Sequence, residues 1–174
     1  MHAIEHQHGN YLISDDPARL DATAVHAYLS RSYWSENIPL EVVQRALQGS
    51  LCVGAYQLSG ASSSAKASAI VHGAMADKSE DKQVGLVRII SDCATFAYLC
   101  DVYILEEHRR HGLAKAMLAF SLRHPRLQGL RSWSLRTRDA HPLYAQFGFK
   151  PIDNPDSYMV LRFPNVYRPV ADDE

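Results

Sequence analysis

Residues 102–117, Val-Tyr-Ile-Leu-Glu-Glu-His-Arg-Arg-His-Gly-Leu-Ala-Lys-Ala-Met, run from an apolar strand-like segment through a tight basic turn into a helix start. Gly112 and Ala114 are small where the helix begins, which lets a bulky anion approach the backbone N–H groups from Arg110 to Lys115. Donors in the first turn of a helix lack an intrahelical acceptor, and the helix dipole adds positive potential at the same end. Arg109, Arg110 and Lys115 bring full charges to that turn. A pyrophosphate is the ligand this chemistry suits. A solvated basic helix start is the plainer reading of the same residues. Other phosphate loops do not match, since both the Walker pattern and the three-glycine dinucleotide fingerprint are missing.

Such a turn needs a strand before it and a helix after it. Phe96 to Leu105 is rich in apolar and aromatic residues and reads as the strand, while Leu113, Ala116, Met117 and Phe120 recur at helical spacing up to Pro125. Leu51 to Leu58 and Gln83 to Ser91 are two further strands, and Asp92 marks the turn into the third, giving three consecutive antiparallel strands. Tyr11 to Ser14 reads as a short first strand. One helix then carries Leu20, Val25 and Leu29, and a second is opened by Pro39 and stopped by Gly49. An aromatic loop, Tyr33 to Pro39, joins them. Trp133 to Thr137 is a short strand, Ala140 to Phe147 a helix stopped by Gly148, and Phe149 to Pro151 and Tyr158 to Arg162 two final strand segments. The order predicts an α+β fold with a central mixed, mostly antiparallel sheet and helices on both faces.

A chain of 174 residues suits a single domain, 1–174, with Ser59 to Lys82 as a loop insertion that serves either as a lid or as decoration. Eighteen basic and nineteen acidic side chains leave a net charge of -1, too little to gather nucleic acid or an anionic membrane surface. The three cysteines, Cys52, Cys93 and Cys100, lack metal-ligand spacing and read as free thiols. His2, His6 and His8 lie in a polar terminus of the kind that is usually mobile, so no metal is expected. With no bilayer-length apolar run and no leader-like start, a cytoplasmic, reducing setting is expected.

The run Arg109-Arg110-His111-Gly112-Leu113-Ala114 is similar to the Gln/Arg-x-x-Gly-x-Gly/Ala signature of the GNAT acetyltransferases. The preceding Asp101-Val102-Tyr103-Ile104 resembles that family's fourth strand, and 140–149, Ala-His-Pro-Leu-Tyr-Ala-Gln-Phe-Gly-Phe, resembles its Ala-x-x-Leu-Tyr-x-x-x-Gly-Phe signature. The resemblance implies acetyl-CoA as cosubstrate, no metal, and transfer of acetyl to a primary amine of a small molecule. A protein N-terminus or lysine as acceptor, or a CoA-binding module without catalysis, are the alternatives. A homodimer is in keeping with the family.

The same resemblance distributes roles. The backbone of Val102, Tyr103 and Ile104 would bond the pantetheine arm, and Arg109, Arg110, His111, Gly112, Leu113, Ala114 and Lys115 would surround the pyrophosphate. Thr137 stands where the family often has a cofactor-contacting Asn. Tyr144 would protonate the departing thiolate, its plainer role being a core aromatic at helical spacing with Phe147. The N–H of Ile104 would stabilise the oxyanion. Asp101 is the first candidate for base or amine binder, or else a structural anchor. Tyr33 and Trp34, beside Glu36, would cradle an ammonium group, or Trp34 would staple helices to sheet. Arg88 would face the same cleft or point to solvent.

Overall fold

The computed structural model describes residues 3–59 and 81–167. Six strands, β1 (Glu5–His8), β2 (Tyr11–Ser14), β3 (Leu51–Gln57), β4 (Lys82–Ser91), β5 (Phe96–Ile104) and β6 (Ser132–Leu135), lie side by side in sequence order. Each pair is antiparallel except β5 and β6, which run parallel because helix α3 (Leu113–Arg123) carries the chain back between them. The remaining helices are α1 (Ala22–Leu29), α2 (Leu40–Gln48) and the short α4 (His141–Ala145). Asp21 caps α1 by accepting from the N–H groups of Thr23 and Ala24, and Gly49 ends α2.

Two cores sandwich the sheet. Val53, Ala55, Val84, Val87 and Leu99 meet Met117 and Leu118 of α3 on one face. Cys52, Leu86 and Tyr103 meet Val25, Leu29 and Val43 of α1 and α2 on the other. The mixed sheet with helices on both faces is the expected architecture. In β5 the odd-numbered Ala97 and Leu99 face α3, yet odd-numbered Tyr103 faces α1. A bulge makes the switch: Leu86 pairs with Tyr103 but Arg88 with Cys100, so β5 holds one extra residue, and Asp101 there is left-handed with φ 48°.

Three expectations are corrected. The N-terminal segment is ordered as β1, because Gly9 (φ 58°) and Asn10 make a two-residue hairpin turn that pairs His8 with Tyr11. Phe149 to Pro151 and Tyr158 to Arg162 are not strands: Pro151, Pro155 and Pro164 interrupt the segment, Pro155–Ser157 forms a single 3-10 turn, and Met159 and Leu161 stay exposed. Helix α4 stops at Ala145, short of Phe147. The insertion read at Ser59 to Lys82 lies outside the described residues except at its two ends.

Candidate active site

The ladder between β5 and β6 ends at Leu99 and Leu135. Beyond it the strands separate, and a cleft of about 1090 Å³ opens between them, walled by Cys100 to Ile104 on one side and by Arg136 to Ala140 with Leu143 and Tyr144 on the other. Leu105 N–H donates to Val84 O of β4, so strand alternation turns the N–H and C=O of Ile104 to the opposite edge, where no strand follows. Arg109 Nε donates to that Ile104 carbonyl at 3.2 Å, which holds the arginine at the mouth of the cleft.

The turn into α3 is built for donors. Arg110 (φ 67°) and Gly112 (φ 76°) are both left-handed, and Gly112 caps α3 without any side-chain hydrogen bond. Among the described residues the backbone N–H groups from Arg110 to Lys115 meet no protein acceptor, the first α3 bond being Ala116 N to Gly112 O. The His111 imidazole turns back to donate to His108 O at 3.2 Å, so His111 offers the nest its backbone alone. His8 Nε2 of β1 donates to His111 O at 2.9 Å and braces the turn from behind. Leu113 anchors the helix in the core while Arg110 and Lys115 remain exposed.

Tyr144 is 8% exposed and packs edge-on against Phe149, with ring centroids 5.9 Å apart. Burial pushes its phenol up to about 12, so the group keeps its proton through the neutral and mildly alkaline range. Cys100 also lines the cleft, and burial pushes its thiol up to about 12 as well. Thr137 accepts from Ala140 N through Oγ1 at 3.0 Å, which ties the cleft wall to the residue that precedes α4.

Asp101 sits at the bulge with both carboxylate oxygens engaged: Arg88 Nε donates to Oδ2 at 2.6 Å and Trp34 Nε1 to Oδ1 at 3.0 Å. Arg88 is largely buried instead of pointing to solvent. It crosses to the α1/α2 side, donates to Ser50 Oγ at 3.0 Å, and lines a separate cavity of about 110 Å³. Tyr33 and Trp34 reach the large cleft from the α1–α2 loop, whereas Glu36 is exposed and stands apart from it. The guanidinium of Arg138 lies 3.9 Å from the centre of the Tyr33 ring, the place where an ammonium was expected.

Several cleft residues have no counterpart in the sequence reading: Tyr28, stacked on Tyr103 at 3.9 Å, Tyr98, Arg136, Arg138 and Arg162. The pattern Arg-Thr-Arg at 136–138 was their available signal, since alternation beyond a strand puts both arginines on one side of the chain. Among the described residues no three His, Cys, Asp or Glu side chains converge as a metal would require, and no helix is long and apolar enough to cross a membrane.

Comparison with known proteins places this geometry. Residues 69–151 match the family model described as Acetyltransferase (GNAT) domain. A provisionally named acetyltransferase of Gibberella zeae is 37% identical over 144 residues, 79% of this chain and 77% of that protein. A crystal structure of a provisionally assigned GNAT-family acetyltransferase from Xanthomonas campestris pv. campestris superposes with a TM-score of 0.75 at 41% identity, covering 91% of this chain and 97% of that one. An acetyltransferase from Clostridium acetobutylicum solved with acetyl-CoA shares the fold, with a TM-score of 0.54 at 15% identity over 88% and 95% of the two chains.

Proposed function

Since the chain belongs to the GNAT acetyltransferase family and is an acetyltransferase, we propose that it moves acetyl from acetyl-CoA directly to the primary amine of a small molecule. The observation that carries this reading is the open edge of β5 at Ile104, which leads into a turn of six backbone N–H groups, 110–115, that meet no acceptor among the described residues. A pyrophosphate satisfies those donors, with Arg109, Arg110 and Lys115 beside it, and an extended arm can bond the free edge of Val102 to Ile104 as a strand would. Acetyl-CoA supplies the thioester.

The chain's own residues supply the rest. The Ile104 N–H faces the cleft and stabilises charge that develops on the acetyl oxygen. The Tyr144 phenol, protonated and nearly dry, gives its proton to the departing sulfur and regains one from the nitrogen as the amide forms. Asp101 binds the incoming ammonium through a second lone pair of Oδ1, the oxygen that also accepts from Trp34, and the ammonium loses one proton to water before it attacks. Transfer is direct because Cys100, the cleft's thiol, is held protonated and is a poor nucleophile. Thiol release from acetyl-CoA with a panel of small amines tests the reading. Turnover is expected with at least one amine, and tight CoA binding with no turnover on any of them would favour a binding module instead.

A further inference from the structure

The walls of the cleft carry positive charge beyond the phosphate turn. Arg136, Arg138 and Arg162 all line it, against two carboxylates, Asp101 and Asp139. Asp101 is ion-paired with Arg88 at 2.6 Å, and Asp139 lies 3.6 Å from Arg138. Among the described residues Arg136 and Arg162 have no ion-pair partner. In a chain of net charge -1 this concentration is local.

Position along β5 separates Arg136 from the phosphate turn. Arg136 follows Leu135, which pairs with Leu99, whereas the nest begins after Ile104. Five residues of strand put about 15 Å between the two ends. A pyrophosphate held at 110–115 therefore leaves Arg136 free, at the end of the cleft that holds Tyr98. Arg162 lines the same cleft.

We infer that the acceptor is an amine that also carries a carboxylate, which Arg136 and Arg162 grip while Asp101 receives the ammonium group. The inference rests on the acetyl-transfer reading above. Guanidinium forks bind carboxylates in pairs of parallel hydrogen bonds, and a site with unpaired charge discriminates against a neutral analogue of the same shape. Arg138 is already held over Tyr33 and beside Asp139, so it closes the wall without binding the acceptor.

Matched acceptors, amino acids and their carboxamides, test this at saturating acetyl-CoA. The carboxylates are expected to show a kcat/KM at least about tenfold higher, a preference that shrinks as salt is raised. In the double variant Arg136→Gln/Arg162→Gln the preference is expected to fall to within about twofold, with the acetyl-CoA KM unchanged. Carboxamides acetylated as well as the carboxylates would overturn the inference while leaving acetyl transfer intact. So would a double variant whose only loss is in the acetyl-CoA KM, because the arginines would then serve the cosubstrate. No thiol release with any amine, charged or neutral, would overturn acetyl transfer and this inference together.

Discussion

Tyr144 and Cys100 both stand protonated in the cleft, and their chemistry divides the work. A phenol pushed up to about 12 is a reluctant acid toward water but a competent one toward a thiolate formed beside it in a dry site. Tyr144→Phe is expected to lower kcat by about 10²-fold with little change in the acetyl-CoA KM, read from initial rates; equal loss in both would assign Tyr144 to binding. Cys100→Ala is expected to keep most of its turnover, with no acetylated enzyme visible by intact mass. The Arg88–Asp101 pair is different in kind, since both side chains are largely buried, at 15% and 8% exposure. Arg88→Met strands a carboxylate, so a loss of about 3 kcal/mol is expected in urea unfolding, and Arg88→Met/Asp101→Asn is expected to recover part of it. Tyr144 was legible because its helix carries a signature. The Arg88–Asp101 bond was not, because the bulge that brings the two together leaves no mark in local sequence.

At the scale of elements, the site is a consequence of where β5 loses its partners. The bulge at Asp101 turns Tyr103 toward α1 and Ile104 toward the α3 core, and the end of β6 at Leu135 frees the edge beyond. Gly85 permits the close approach of β4 there: a Cβ on it would lie 2.9 Å from Tyr103 O and 2.5 Å from Ile104 Cδ1. Gly85→Ala is expected to cost about 1–3 kcal/mol and to lower kcat by displacing Ile104. The three antiparallel strands, α3 and the loop carrying Tyr33 and Trp34 could be read from period and punctuation. The β1 hairpin was missed although its signal, Gly9-Asn10 just before the apolar Tyr11–Ser14, was present, because nothing apolar marked Glu5–His8. The C-terminal segment failed in the opposite sense: Tyr158 to Phe163 is apolar enough for a strand, and the neighbouring prolines withhold the ladder. Glu36 failed because proximity in sequence to Trp34 does not turn a loop carboxylate inward.

For the whole molecule, ligand and solvent conditions give two global readouts. Acetyl-CoA at about 100 times its Kd is expected to stabilise the fold by about 2.7 kcal/mol, a rise in Tm of roughly 5–10 °C for a domain of this size. Alkali should act the other way. Burial raises Cys52, Cys100 and Tyr144 each to about 12, so the folded protein holds protons that the unfolded chain gives up from about pH 9 to 10 upward. Their contribution is whole below that range and is lost as pH climbs toward 12. Urea midpoints measured from pH 8 to 11 are expected to fall above about pH 9, and less steeply in Cys100→Ala; a flat profile would contradict the burial of these groups. Everything converges on one reaction at the gap between β5 and β6. Mass spectrometry of an amine panel incubated with acetyl-CoA and either the wild type or Tyr144→Phe tests it most directly. An acceptor is expected to gain one acetyl group with the wild type and far more slowly with the variant. No acetylated amine from the wild type, or equal rates from both proteins, would contradict it.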